Sequence, residues 1–210
     1  MLLLNELFKF VIITSASYKI DESHALKHSM DVYYYGNKIL NEEMKHNPIL
    51  QNNKIIIDIC CILHDMCDKK YMDEQEGLKN INNFLLDKLE QPTIKIINDI
   101  ISTISYSKVK KNGYPDLKEY NEIYHIVRQA DILAAYDIDR AIMYSMIVDN
   151  KIYNKALEDA LKLFDNRVLK HIHDGTFYHK SALKIGEKLH EEALLKLELL
   201  KNNNIYNKDL

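Results

Sequence analysis

The stretch Ile55-Ile56-Ile57-Asp58-Ile59-Cys60-Cys61-Ile62-Leu63-His64-Asp65-Met66 is apolar on nearly every side of a helix, with Asp58 the early exception. A helix without a polar face must be covered all round by other elements. The stretch therefore predicts a central, buried helix surrounded by amphipathic ones. The rest of the chain agrees. Apolar residues recur at helical spacing almost throughout, and 210 residues contain only 5 Gly and 3 Pro. That scarcity excludes a turn-rich β-sandwich, a collagen-like chain and a Pro-rich disordered chain. The fold expected is all-α, a single compact helical bundle. Helices are expected near 2–16, 23–44, 51–67, 73–88, 92–106, 118–147, 152–171 and 179–201. Asp21 or Ser23 is the expected cap of the second. Asn47 and Pro48 break the chain before the third, and Pro92 suits the first turn of the fifth. Lys110–Asp116, with Gly113 and Pro115, reads as a loop, and Gly175 breaks the chain again. No repeat or linker divides the chain. One domain is expected over 1–201, with a core at about 18–147, helices 152–201 packed on it and a polar tail at 202–210.

Charge and cysteine usage narrow the function classes. There are 28 basic and 31 acidic residues, a net charge of −3. That balance excludes a general nucleic-acid coat, so no specific nucleic acid is expected as a partner. A chain of this length buries about 70% of its unfolded surface and needs no disulfide or structural metal to fold. Cys60, Cys61 and Cys67 are odd in number and crowded into one apolar stretch. They read as core packing in a reducing, cytoplasmic setting. Met1–Ala16 lacks a basic leading region and is interrupted by Asn5, Glu6 and Lys9, so it is not read as a signal peptide. Leu3, Leu4, Leu7, Phe10 and Val11 make it an amphipathic helix, against its own body or a second copy. Monomer and homodimer both stay open, and no membrane span is expected.

Polar groups on apolar faces mark the candidate site. The central helix ends in His64-Asp65, and an unpartnered buried carboxylate costs several kcal/mol. His24 and His28 are four apart, and Val32, Tyr35 and Ile39 continue the stripe of His28 into the core. Asp131 shares its face with Val127, Ala134 and Ala135, with Arg128 one turn earlier as the plain candidate partner. An inward His, an inward His-Asp and an inward Asp on three helices make a four-ligand site for a divalent ion. Imidazole and carboxylate together suit a borderline metal.

This order and spacing resembles the HD-domain metal-dependent phosphohydrolase superfamily. The resemblance runs over about residues 18–200. It rests on Lys27-His28-Ser29-Met30-Asp31-Val32, on Cys61-Ile62-Leu63-His64-Asp65 and on Ala130-Asp131. The closer resemblance is to small stand-alone HD proteins that look like bacterial and fungal nucleotide pyrophosphohydrolases. Those share the paired histidines of Ser23-His24-Ala25-Leu26-Lys27-His28, the Asp68, Lys70 and Tyr71 that follow, the stretch Ile104-Ser105-Tyr106-Ser107-Lys108 and the Leu-rich tail from Lys180. Three positions depart. The subgroup has an acid where Ala25 stands, an Arg where Ile132 stands and a second acid where Ala134 stands; a following Gly-containing run is also absent. These leave the four ligands intact and bear on substrate choice and turnover.

The resemblance implies hydrolysis of a phosphate ester or anhydride at an ion held by His28, His64, Asp65 and Asp131. Manganese comes first among Mn, Mg, Fe, Ni, Co and Zn. A bound cation lowers the pKa of a water and neutralises phosphoryl oxygens. Asp68 would orient or deprotonate the water, Lys70 would pair with a phosphate oxygen, and His24 would contact phosphate or act as an acid. Lys108 is a weaker phosphate candidate. The substrate implied is a nucleotide: a (deoxy)nucleoside triphosphate cleaved to monophosphate and pyrophosphate, with monophosphatase or phosphodiesterase action next to it. The other class is a binding protein that keeps the fold and has lost turnover. His171, His173 and His179 read as surface histidines, Lys108, Lys110 and Lys111 as a wet basic loop, and Tyr35 of the Tyr33-Tyr34-Tyr35 run as core.

Overall fold

We describe residues 2–206 of a computed structural model, with side chains through residue 202. Ten α-helices and three short 3-10 segments make up these residues, with no strand among them. The helices are α1 (Leu2–Tyr18), α2 (Leu26–Glu43), α3 (Lys54–Leu63), α4 (Glu74–Leu85), α5 (Gln91–Thr103), α6 (Tyr106–Asn112), α7 (Asn121–Ala134), α8 (Ile138–Ile147), α9 (Tyr153–Asn166) and α10 (Lys180–Tyr206). The fold is all-α, as the periodicity predicts. Met1 and the end of the expected polar tail, 207–210, lie outside the described residues; the start of that tail is a continuation of α10.

The apolar stretch forms the centre. Helix α3 buries Ile56, Ile57, Ile59, Cys60, Cys61, Ile62 and Leu63 and packs against α1, α2, α5 and α7. At about 1.5–3 kcal/mol per fully buried large aliphatic side chain, this helix anchors the body around it. All three cysteines are free and buried. Helices α2 and α7 lie against each other and against α3. Gly36 sits where the three meet: a Cβ there would stand 2.5 Å from Cys61 Sγ and 3.7 Å from Ala130 Cβ. Only a residue without a side chain lets α2 come this close.

A second, smaller core joins α8, α9 and the far half of α10 through Ile138, Ile142, Leu157, Phe164, Val168 and Leu197. Phe177 and Leu189 touch both cores. Helix α8 therefore sides with the C-terminal helices rather than with the core expected to extend to 147.

Several expected boundaries move, each for a local reason. The helix expected over 118–147 is a 3-10 turn at Lys118–Tyr120, then α7, then α8. The break falls at Asp137, whose carboxylate accepts from Asp139 N–H and caps a new helix. The helix expected from 23 begins at Leu26, because Asp21 Oδ1 accepts from Ser23 N–H at 2.9 Å and ties the chain into a turn. The helix expected over 51–67 is a 3-10 segment, Pro48–Asn53, followed by α3, so His64 and Asp65 lie just past its end. The expected loop at 110–116 begins as helix α6, which Gly113 ends at φ 77°.

Candidate metal centre

Three elements meet at the candidate site. His28 stands in the first turn of α2, fully buried, on the stripe that continues through Val32 and Gly36. His64 caps the C-terminus of α3 and Asp65 follows it. Asp131 projects from α7. The Nε2 atoms of His28 and His64 are 3.0 Å apart. Asp65 Oδ2 lies 3.2 Å from His28 Nε2 and 3.4 Å from His64 Nε2. Asp131 Oδ1 lies 3.4 and 3.6 Å from the same two nitrogens. All four residues singled out from the sequence are thus brought together.

The donor set fits a divalent cation. Nδ1 of His64 is 3.0 Å from the Cys61 carbonyl oxygen, which only accepts, so Nδ1 carries a proton and Nε2 is the atom turned to the cluster. Two imidazole nitrogens and two carboxylates otherwise face one another with too few protons among them. The negative end of the α3 dipole also lies here and favours a cation. Burial alone would depress His64, but the charge of Asp65 and hydrogen bonds with Asp131 and Asp65 raise it well above its ordinary 6.5. Burial pushes the Asp65 carboxyl up; the His64 charge and hydrogen bonds from His28 and His64 outweigh that and hold it well below the usual carboxylate range. Asp131 is likewise raised by burial and held well below that range by its bonds to both histidines. Buried Nδ1 of His28, unlike that of His64, has no hydrogen-bond partner. Arg128 is not the partner of Asp131. It donates to the Thr176 carbonyl at 3.2 Å and lies over the Tyr114 ring.

A cavity of about 420 Å³ opens over this cluster. His24, Asp68, Lys70 and Lys108 all line it. His24 lies before α2 rather than on its face. Lys70 Nζ is 3.0 Å from His24 Nε2 and 3.4 Å from Asp68 Oδ2. An ammonium only donates, so His24 Nε2 accepts and its proton is on Nδ1, toward Ser23 Oγ at 2.6 Å and Tyr71 Oη at 3.0 Å. Tyr71 in turn donates to Asp21. Burial first, with Lys70 and Arg140 adding, lowers His24 to about 4 against the pull of Asp65. In this arrangement the Nε2 lone pair is taken up by Lys70 and the ring proton lies on Nδ1. Lys108 is committed elsewhere, to Glu74 and, at 2.7 Å, to the Ser102 carbonyl.

Arg140 and Arg167, given no role from the sequence, also line the cavity, and so does His171, read from the sequence as a surface residue. The signal available was composition: the chain has 25 Lys and only three Arg, at 128, 140 and 167. Where lysine is the default cation, an arginine marks a need for a planar, forked donor. Two of the three face this cavity. His171 and His179 are buried, contrary to the surface reading, while His173 is exposed.

Glu43, Glu122 and His179 form a second cluster of potential ligands. Hydrogen bonding argues against metal there. The Gln129 amide oxygen accepts from His179 N–H at 2.9 Å, and its nitrogen donates to the His125 carbonyl at 2.6 Å, which fixes the amide's orientation. The same nitrogen donates to His179 Nδ1 at 2.7 Å. The ring proton is therefore on Nε2, the atom facing the glutamates, and no lone pair points at an ion.

The fold and site define an all-α protein with a His/Asp group able to hold a metal ion. Among the described residues, no helix is long and apolar enough to cross a membrane. No family model, curated protein or solved structure matches the chain.

Proposed function

We propose that this chain is a metal-dependent phosphohydrolase of the HD-domain type acting on nucleotides, cleaving a (deoxy)nucleoside triphosphate to monophosphate and pyrophosphate. One observation carries the reading: His28, His64, Asp65 and Asp131, from three separate elements, converge, and the last three open onto a cavity whose walls bear Lys70, Arg140 and Arg167. A divalent ion held by the four would supply Lewis acidity toward a water and a phosphoryl oxygen, with manganese the first candidate. The chain's own groups do the rest. Lys70, held by neutral His24, offers a positive charge to phosphate oxygens. Asp68 keeps Lys70 in place through that residue's N–H at 2.9 Å and its ammonium. Water, oriented by Asp68 on the cavity wall, adds to the α-phosphorus and gives its proton to that carboxylate; the bond from the phosphorus to the bridging oxygen breaks, and pyrophosphate leaves with that oxygen. Monophosphatase or phosphodiesterase action would use the same cluster with a shorter or cyclic substrate.

A second reading, a binder without turnover, draws on Ile132. An isoleucine stands on the cavity wall where the resemblance calls for Arg, and Ala134 is buried with no carboxylate. Purified protein assayed with Mn²⁺ against a panel of nucleotides separates the two. The hydrolase reading expects turnover that disappears in Asp65→Ala. Metal uptake without turnover on any phosphate compound would establish the binder, and no uptake after reloading would remove both.

A further inference from the structure

The C-terminal wall of the cavity holds two side chains, Arg167 and His171, each with a buried nitrogen that no protein group meets. Arg167 and His171 are four residues apart, at either end of the 3-10 turn Val168–Lys170. Both rest on one ring. The Arg167 guanidinium lies 3.9 Å over Tyr106, and His171 meets the same tyrosine edge-on at 5.7 Å. Among the described residues, Arg167 makes no ion pair, and its buried Nε has no hydrogen-bond partner. The other cations of the cavity are differently placed. Lys70 pairs with Asp68 and Lys108 with Glu74, while Arg140 donates to the Ser23 and Ala134 carbonyls. The guanidinium is half-buried, feels the charge of Asp131 from beyond ion-pair distance and touches no anion, a position explained by a charge that arrives with a ligand.

His171 is only 1% exposed. Its Nδ1 faces Thr176 Oγ1 at 3.5 Å and Asp174 Oδ2 at 3.6 Å. The Thr176 hydroxyl donates to Asp174, so both oxygens act as acceptors toward the ring and the proton belongs on Nδ1. Nε2 is left as a bare acceptor with no partner. A forked cation and a neutral acceptor thus stand side by side on one aromatic platform. One common group answers both, a terminal phosphate, which near neutral pH carries charged oxygens and, for part of the time, a P–OH.

We propose that Arg167 and His171, seated on Tyr106, form a second ligand subsite, distinct from the His/Asp cluster, that binds a terminal phosphate. The guanidinium takes the charged oxygens and His171 Nε2 accepts from the protonated one. The inference deepens the phosphohydrolase reading and rests on it only for the substrate, a molecule with a phosphate beyond the one that reacts.

Titration of inorganic pyrophosphate into the full chain in chelator at pH 7, followed by calorimetry, tests it without turnover. Saturable binding is expected, weakened at least tenfold in Arg167→Gln and partly restored in Arg167→Lys. The His171 Nε2 nitrogen resonance should move toward its hydrogen-bonded position in the wild type and stay put in Arg167→Gln, with amide spectra confirming that both variants are folded. A triphosphate that outbinds pyrophosphate identifies the nucleotide's own tail as the occupant; the reverse order identifies the free anion. Absence of pyrophosphate binding, or equal binding in Arg167→Gln, overturns the subsite. Arg167-dependent binding in a protein without turnover would sink the hydrolase alone. Turnover whose KM ignores Arg167→Gln, with pyrophosphate binding equally unmoved, would sink the subsite alone.

Discussion

His64 couples the site to pH at the level of a single residue. Its raised pKa means that a proton holds the cluster together when no metal does. In metal-free protein this stabilisation is complete below the unfolded imidazole value of about 6.5 and is lost as pH climbs through the higher folded value. The lowered Asp65 and Asp131 contribute above about 3.9, and their share is lost as pH falls through their folded values. A metal must displace the proton on His64, so apparent affinity rises with pH. The melting-temperature gap between Mn²⁺-loaded and metal-free protein should widen from pH 6 to pH 8; a gap that does not change over that range contradicts the assignment of the proton. Removing a ligand has a separate signature. Asp131→Ala should lose the metal yet still fold, since its carboxylate lies at a cavity wall rather than in the core. The convergence of His28, His64, Asp65 and Asp131 was legible in the sequence because each is a polar group on or at the end of an apolar helix face; for Asp131 the nearby Arg128 was the competing explanation, and it turns instead to Thr176. Arg167 and His171 were not legible, because only the return of the chain after α9 brings them beside Tyr106, and no periodicity encodes that return.

At the scale of elements, the close approach of α2 to α3 and α7 positions the ligands. Gly36→Ala should destabilise by about 1–3 kcal/mol through overpacking and weaken metal uptake, because the neighbour it meets is the buried Cys61 sulfur. Cys61→Ala in the same chain should recover much of both losses, a coupling measurable as a double-mutant cycle in urea. Strict additivity of the two changes would show that the contact does not set the helix spacing. Asp137 sets the boundary between α7 and α8. Asp137→Ala should cost about 1 kcal/mol as a lost N-cap, and a denaturation midpoint equal to wild type would remove the capping account of the α7–α8 break. That break was hidden in the sequence. Apolar residues continue through Leu133, Ala134, Ala135 and Ile138 without Gly or Pro, so the pattern reads straight through a turn made by one carboxylate. The start of α2 was misplaced for the converse reason: Asp21 resembles a cap and instead closes a turn of its own.

Across the whole molecule, the cavity lies between the two cores. Its floor comes from the turn before α2, the residues just past α3 and the end of α7, and its far wall from α8 and the turn after α9. All-α class and the buried central helix followed from periodicity alone. The second core did not, because α8 carries the same apolar spacing as α7 and nothing local says which cluster it joins. A ligand reaching from the His/Asp cluster to Arg167 would therefore tie the two cores together. Hydrogen exchange in α8 and α9 should slow when Mn²⁺ and pyrophosphate are both present, and unchanged protection there would separate the second core from the site. Metal alone should stabilise by mass action, about 2.7 kcal/mol at a hundredfold excess over Kd. The central claim is that four side chains from three elements hold one ion. Elemental analysis of reloaded wild type beside Asp131→Ala tests it most directly. The expected result is about one equivalent of metal in the wild type and close to none in the variant, whereas a metal-free wild type, or a variant that retains its full equivalent, would contradict it.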